Sequence, residues 1–370
     1  MESMVAMTLF DDQYRGKTVL LTGHTGFKGS WLAYWLHQLG ADVVGYSLPA
    51  PTQPSHWERL NLPITNEIGD INDLGRLRDI FTTYQPDMVF HLAAQPLVRQ
   101  SYREPLETLE TNVLGTAKVL DAVRQTPSVR AVVIVTSDKC YENPEDGRPL
   151  TERDPMGGYD PYSMSKGAAE LVVSSYRNSF FDPMQYGQTH RTLVASVRAG
   201  NVIGGGDWAA DRLIPDLVRG SVSGERVVIR NPLAVRPWQH VLEPLGGYLL
   251  VGQRLLMGDV ATATGWNFGP ATDEVLPVRA VIEQAKQRWD AVAVDEQPSA
   301  QNPHEAHLLR LDCTKAHRDL NWWPVWDTHS AIARTIDWYR TFYEQDALRT
   351  ADDLAAYIAD AQAANLIWTR

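Results

Sequence analysis

Apolar residues fall in short, unbroken runs through the first half of the chain. "KTVLLTG" (17–23), "ADVVGYS" (41–47), "DMVFHLAA" (87–94), "RAVVIVTS" (130–137) and "RTLVASVRAG" (191–200) show no strict alternation with polar residues. Strands buried on both faces read this way, as in a parallel sheet covered by helices. Segments of helix length separate the runs, and the first of them, 28–39, is amphipathic. Repeated strand–helix–strand units predict an α/β fold with a doubly wound parallel sheet.

Beyond residue 200 the pattern changes. "NVIGGGDWAADRLIPDLVRG" is glycine-rich and then helical, and "RVVIRNPLAVRPWQHV" is an extended run carrying arginines. The remainder mixes helices with short extended pieces such as "WNFGP", and most of the tryptophans lie here. The organisation predicted is a nucleotide-binding domain over 1–200, with 235–262 returning to it. A smaller mixed α/β lobe over 201–370 packs on that domain and leaves a cleft between them.

Composition narrows the function. With 370 residues, 44% hydrophobic and 21% charged, the chain can bury a sizeable core. A net charge of −11 leaves no basic stripe to neutralise a nucleic-acid backbone. Two cysteines, Cys140 and Cys313, make neither a disulfide framework nor a metal-ligand spacing. No run reaches 18 apolar residues, and "MESMVAMTLFDDQYRGK" lacks the order of a signal peptide. The expectation is a soluble protein of a reducing compartment, the cytoplasm.

"TGHTGFKGS" (22–30) follows the first strand and opens the first helix. Gly23, Gly26 and Gly29 permit a tight turn and let a pyrophosphate approach backbone N–H groups at the helix N-terminus. A dinucleotide site is expected here. The acidic residue that usually binds the adenosine ribose is missing, because the second strand ends in Gly45, Tyr46 and Ser47. No arginine follows to clamp a 2′-phosphate either, so NAD is the expected cofactor. His24 reads as a loop residue near the phosphates.

"YDPYSMSKGAAE" (159–170) places Tyr162 and Lys166 one helical turn apart. An ammonium beside a phenol favours the phenolate and lowers its pKa toward one useful to a base. A surface Tyr–Lys pair would look the same. With a glycine loop upstream and Ser137 at the end of a strand, the set becomes specific.

Together these residues resemble the extended short-chain dehydrogenase/reductase family, whose site combines Ser/Thr, Tyr and Lys. "HLAAQPLV", "TNVLGTAKVLDAV" and "VRAGNVIGGGDW" extend the resemblance. "TGHTGFKGSWL", "PMGGYDPYSMSK", "GNVIGGGDWAADRLIPD", "RPWQHVLEPLGGY" and "HEAHLLRLDCTKA" look like its nucleotide-sugar dehydratase branch, specifically the CDP-glucose 4,6-dehydratases, over nearly the full length. The resemblance implies a Rossmann sheet, CDP-glucose as substrate, and NAD held by Gly23, Thr25, Gly26, Phe27, Gly29, Asp70, Ile71, Ala93, Ala94 and Gln95 together with Tyr162 and Lys166. It also implies a homodimer or homotetramer.

Such an enzyme oxidises carbon 4 of the sugar, eliminates water across carbons 5 and 6, and returns the hydride to carbon 6. Water removal demands an acid and a base beyond Ser137, Tyr162 and Lys166. The resemblance assigns these to Asp138, as acid for the 6-hydroxyl, and Lys139, as base at carbon 5. The related dTDP-glucose dehydratases carry Asp-Glu here, and Lys139 departs from that pattern. A surface Asp–Lys ion pair is the bland alternative. All three of residues 137–139 can face one site only if the strand has ended by Asp138.

For the substrate, Arg212 and Arg236 are expected on the pyrophosphate, Asn201 on sugar or phosphate, and His304 with Glu305 over the nucleotide. Trp208 and Trp266 are stacking candidates but read more simply as core. Asn321 of "LNWWPVW" stands where relatives carry glycine and should keep a left-handed helix end. Two other readings stay open. One is an epimerase or dehydratase of another nucleotide sugar; the other is a catalytically silent NAD-binding sensor.

Overall fold

The computed structural model describes residues 8–271, 275–297 and 309–370. Its centre is a seven-stranded, all-parallel sheet. Six strands come from the first 200 residues: β1 (Thr18–Thr22), β2 (Asp42–Ser47), β3 (Thr65–Ile68), β4 (Met88–His91), β5 (Ala131–Val135) and β6 (Leu193–Ala199). Gly265–Phe268 adds the seventh beside β6. The order from that edge is seventh, β6, β5, β4, β1, β2, β3. Strand order reverses between β1 and β4, and in such sheets ligands bind in the crevice at the carboxyl ends there.

The unbroken apolar runs have the expected cause. Along β1, Val19 and Leu21 enter one core while Leu20 enters the other. Along β5, Val133 and Val135 face one side and Val132 and Ile134 the other. Both faces are dry, so polar alternation would bury polar groups without partners. The helix α1 (Phe27–Gln38) lies over the sheet with Trp31, Leu32, Ala33, Trp35 and Leu36 buried; it is covered on most of its circumference, so the amphipathic stripe expected of 28–39 is not what the structure shows. β3 was not among the apolar runs. Its sequence TNEI sits at the sheet edge, largely exposed, and so carries no apolar signature.

The second half contributes to the same core. The helix Leu242–Leu256 is buried along almost its whole length and packs against β5 and β6. The last long helix, Thr350–Ala363, and the terminal turn Ile367–Thr369 return to α1. There Trp35 meets Tyr357 and Trp368 edge-on, with ring centroids 5.8 and 5.7 Å apart. Trp31 Nε1 donates to the Gly205 carbonyl at 2.8 Å, tying α1 to the glycine-rich loop after β6. Asn321 holds φ 52° at a helix end, the conformation expected of it. Trp266 is core, packed under Lys315 Nζ at 4.1 Å. Trp208 is also buried, although part of it borders the cleft. Among the described residues no helix is long and apolar enough to cross a membrane.

Candidate active site

A cleft of about 1840 Å³ opens along the carboxyl ends of the strands. Its floor on one side is the glycine loop. Gly23 adopts φ 79°, and a Cβ there would stand 2.6 Å from the Ala93 nitrogen, so only glycine lets the loop approach the segment after β4. At Gly29 a Cβ would lie 2.0 Å from the Gly23 carbonyl oxygen, which fixes the close start of α1. Gly26 precedes α1 and lines the open cleft with Thr25 and Phe27. Free N–H groups of a twelve-residue helix therefore meet the cleft where a pyrophosphate fits. His24 instead turns into the protein. Its ring occupies the space a Gly45 side chain would fill, and its Nε2 pairs with Asn66 Oδ1 at 2.8 Å. The expectation that it lies near the phosphates does not match this packing.

The end of β2 is free of carboxylates, as the sequence indicated. Asp42 sits at the opposite end of that strand. Thr25 donates to the Leu48 carbonyl at 2.9 Å, so the 2.8 Å contact with Ser47 has Ser47 as donor. Tyr46 donates to the Asp70 carbonyl at 2.7 Å. Asp70 and Ile71 line the cleft beyond β3, as do Ala93 and Ala94 beyond β4. Gln95 faces away. Its amide donates to Thr108 Oγ1 at 2.8 Å and accepts from the Leu97 nitrogen, so its side chain is spent inside the protein.

The stretch 137–139 meets the geometric demand. β5 ends at Val135, and Asp138–Cys140 form a single 3-10 turn. Ser137, Asp138 and Lys139 then all line the cleft. Asp138 is 4% exposed, and its side-chain partner is Ser137, whose Oγ donates to Oδ1 at 2.9 Å. The Lys139 nitrogen donates to Ser137 Oγ at 3.2 Å, so one hydroxyl organises the turn. Burial and this partnering do not match a surface Asp–Lys ion pair.

Tyr162 and Lys166 come from the helix Pro161–Phe180. Asp160 caps it by accepting from the Ser163 nitrogen, with Pro161 in its first turn. Both side chains are buried and line the cleft. Burial pushes the Tyr162 phenol up to about 12, and interaction with the Ser137 side chain only partly opposes it. Burial likewise lowers the Lys166 ammonium to about 8. The lysine was expected to bring the phenol down; burial raises it instead.

One turn beyond Lys166, Glu170 anchors the floor. Its carboxylate accepts from Thr136 Oγ1 at 2.5 Å, Ser196 Oγ at 2.7 Å and Arg198 Nε at 2.9 Å. Thr136 precedes Ser137, so this buried network fixes the start of the 138–140 turn and the tyrosine helix together.

The second half supplies the opposite wall. Asn201, at φ 49°, Arg212 and Arg236 all line the cleft. Arg212 Nη1 pairs with Asp207 Oδ2 at 2.7 Å. His304 and Glu305 lie outside the described residues. One charged group was missed at this level. Lys28, two residues past Gly26, reaches the centre with its Nζ 5.9 Å over the Tyr248 ring. Burial chiefly, then Arg212, lowers it to about 8, while Asp138 opposes the shift. Only its place in the glycine loop hinted at this.

The chain matches the family model described as GDP-mannose 4,6 dehydratase over residues 20–335. A CDP-glucose 4,6-dehydratase of Salmonella typhimurium is 51% identical over 331 residues, covering 89% of this chain and 92% of that one. The chain belongs to the GDP-mannose 4,6 dehydratase family. A dTDP-glucose 4,6-dehydratase of Streptomyces antibioticus is 31% identical over 338 residues, covering 87% and 92%. Among solved structures, UDP-glucose 4-epimerase of Thermus thermophilus, complexed with NAD, superposes with a TM-score of 0.74 at 25% identity, covering 87% and 99%. DesIV, a dTDP-glucose 4,6-dehydratase of Streptomyces venezuelae, gives 0.73 at 24% over 89% and 98%, which establishes the shared fold. As a family member, the chain is a nucleotide-sugar 4,6-dehydratase with the Rossmann architecture predicted.

Proposed function

We propose that the chain dehydrates CDP-D-glucose to CDP-4-keto-6-deoxy-D-glucose with NAD as cofactor, as a cytoplasmic dimer or tetramer. The observation carrying this reading is the turn after β5. It brings a buried carboxylate and an amine, Asp138 and Lys139, into one cleft with Ser137, Tyr162 and Lys166. An epimerase has no use for the first two. The identity of 51% to a CDP-glucose enzyme supports the choice of nucleotide.

NAD, when bound, supplies the hydride acceptor at carbon 4 and gives the same hydride back at carbon 6. The glycine loop and the N-terminus of α1 fit its pyrophosphate, and Lys166 lies where it can hold the nicotinamide ribose. Tyr162, aligned by Ser137, takes the proton of the 4-hydroxyl. The 4-ketone acidifies the proton on carbon 5; Lys139 removes it, and gives a proton back to carbon 5 when the hydride adds at carbon 6. Asp138 protonates the departing 6-hydroxyl, which leaves as water. Arg212 and Arg236 hold the pyrophosphate of the sugar nucleotide, and Asn201 the sugar end. A panel of nucleotide-glucose donors, read by absorbance of the 4-keto product in alkali, should give CDP-glucose the highest kcat/KM. A higher value with dTDP-glucose or UDP-glucose overturns the assignment.

The cofactor prediction follows from the end of β2. A carboxylate in that place makes charge-assisted bonds to ribose worth about 1.5–3 kcal/mol each. Here the hydroxyl protons of Tyr46 and Ser47 are already spent on Asp70 and Thr25. NAD should therefore bind weakly and exchange during purification. NADP should bind within about an order of magnitude of NAD, since no carboxylate repels its 2′-phosphate. Titration of apo-protein with each dinucleotide checks this. A preference for NAD above roughly a hundredfold, about 2.7 kcal/mol, would mean that Asp70 has taken the ribose role.

A further inference from the structure

Behind Asp138 lies a second, much smaller cavity of about 10 Å³, with Gly200, Gln239, Gly269 and Leu311 among its walls. A space of that size holds a single water molecule when polar groups are there to receive it. Two acceptors are. Gln239 is 2% exposed, and its Nε2 donates to the carbonyls of Gly200 and Phe268, each at 3.1 Å. Only the amide nitrogen can serve two carbonyls, so the orientation of the amide is fixed. Its Oε1 finds no partner among the described residues. A buried amide oxygen in that condition calls for a donor.

The second acceptor is the carboxylate itself. Ser137 serves Asp138 Oδ1. The other oxygen, Oδ2, packs against Gly200, where a Cβ would stand only 1.9 Å from it. Gly200 thus leaves room for that oxygen, and Gly200, Asp138 and Gln239 line the same cavity.

We propose that this cavity binds one ordered water molecule, which donates to Gln239 Oε1 and to Asp138 Oδ2 and so positions the acid. A water molecule suits both states of the carboxyl group. It donates to the carboxylate, and it accepts from the Oδ2–H of the protonated form. Gln239 is a positioning residue acting through that molecule. The kinetic consequence rests on the acid role proposed for Asp138; the water site does not.

A crystal structure of the whole protein, at a resolution that shows ordered water, decides the site. Density within hydrogen-bonding distance of both oxygens is the expected result, and its absence overturns the proposal. Gly269→Ala tests the consequence. The added methyl would meet Cys313 Sγ at 3.5 Å and Leu311 Cβ at 3.8 Å, ordinary contacts that the fold accepts. Gly269 lines the cavity, so the methyl takes part of a space sized for one water, and a structure of the variant shows whether the water has gone. Turnover should fall about tenfold, the value of one hydrogen bond to a charged group, with KM and thermal midpoint nearly unchanged. A variant that has lost the water and keeps kcat within about twofold overturns the positioning role. Unimpaired dehydration by Asp138→Asn would remove the acid role and the kinetic expectation with it, while the wild-type density still decides the site.

Discussion

Lys139→Ala should oxidise carbon 4 and then stop. The residues proposed for the first step, Ser137, Tyr162 and Lys166, are held independently of the lysine side chain, since it is the Lys139 backbone nitrogen that bonds Ser137. Removing the side chain leaves that bond in place. In a single turnover, absorbance of reduced nicotinamide should rise and persist instead of passing through a transient. Loss of a positioned general base costs about 10²–10⁴-fold in rate, and that loss should fall on elimination alone. In deuterated solvent, wild-type protein should exchange the carbon 5 proton, whereas the variant should exchange it slowly or not at all. Rapid deuterium incorporation with normal turnover would reduce Lys139 to a structural residue of the turn.

Tyr162→Phe should show the opposite division. Without the phenol, no reduced nicotinamide should form in a single turnover, and dehydration should fall by about 10²–10⁴-fold. Cofactor affinity should hardly move, because the proton chemistry is lost while the buried ring stays. The environment explains the size of the effect. Burial holds the phenol up at about 12 and the Lys166 ammonium down at about 8. Below about pH 8 the lysine is cationic and able to help the phenol ionise; above it that help is withdrawn. Lys166→Met should therefore lower both turnover and NAD affinity, and NAD affinity of the wild type should decline as pH rises through about 8. A tyrosine effect below about tenfold, or a methionine variant with unchanged NAD affinity, would separate these residues from their roles.

What could be read from the chain depended on how local the cause was. Runs such as 131–135 and 193–199 announce themselves because both faces are buried, and β1 with its glycine loop follows from residues adjacent in sequence. The turn at 138–140 was foreseen as a geometric requirement, and the structure supplies it. β3 was invisible, since an exposed edge strand has no apolar period to detect. Gly265–Phe268 looked extended, but its place in the main sheet depends on the long return of the chain past the Leu242–Leu256 helix.

Site residues divide the same way. Gly23, Gly26, Ser137, Tyr162 and Lys166 belong to short patterns with a mechanical reason at each position. Lys28 and Gln239 gain their significance from groups distant in sequence, Tyr248 for one and Gly200 with Phe268 for the other. Gln95 and His24 lie close to motif residues, yet tertiary partners, Thr108 and Asn66, draw their side chains inward. The pKa of Tyr162 is set first by burial, which a spacing of four residues does not report.

The central claim is that one hydride leaves carbon 4 and returns, within the same molecule, to carbon 6. CDP-glucose carrying deuterium at carbon 4 tests it directly when mixed with unlabelled substrate, the purified protein and NAD. The account predicts a 4-keto-6-deoxy product bearing that deuterium at carbon 6, with no crossover between labelled and unlabelled molecules and no net reduction of NAD. Deuterium retained at carbon 4, lost to water, or scrambled between molecules would contradict it.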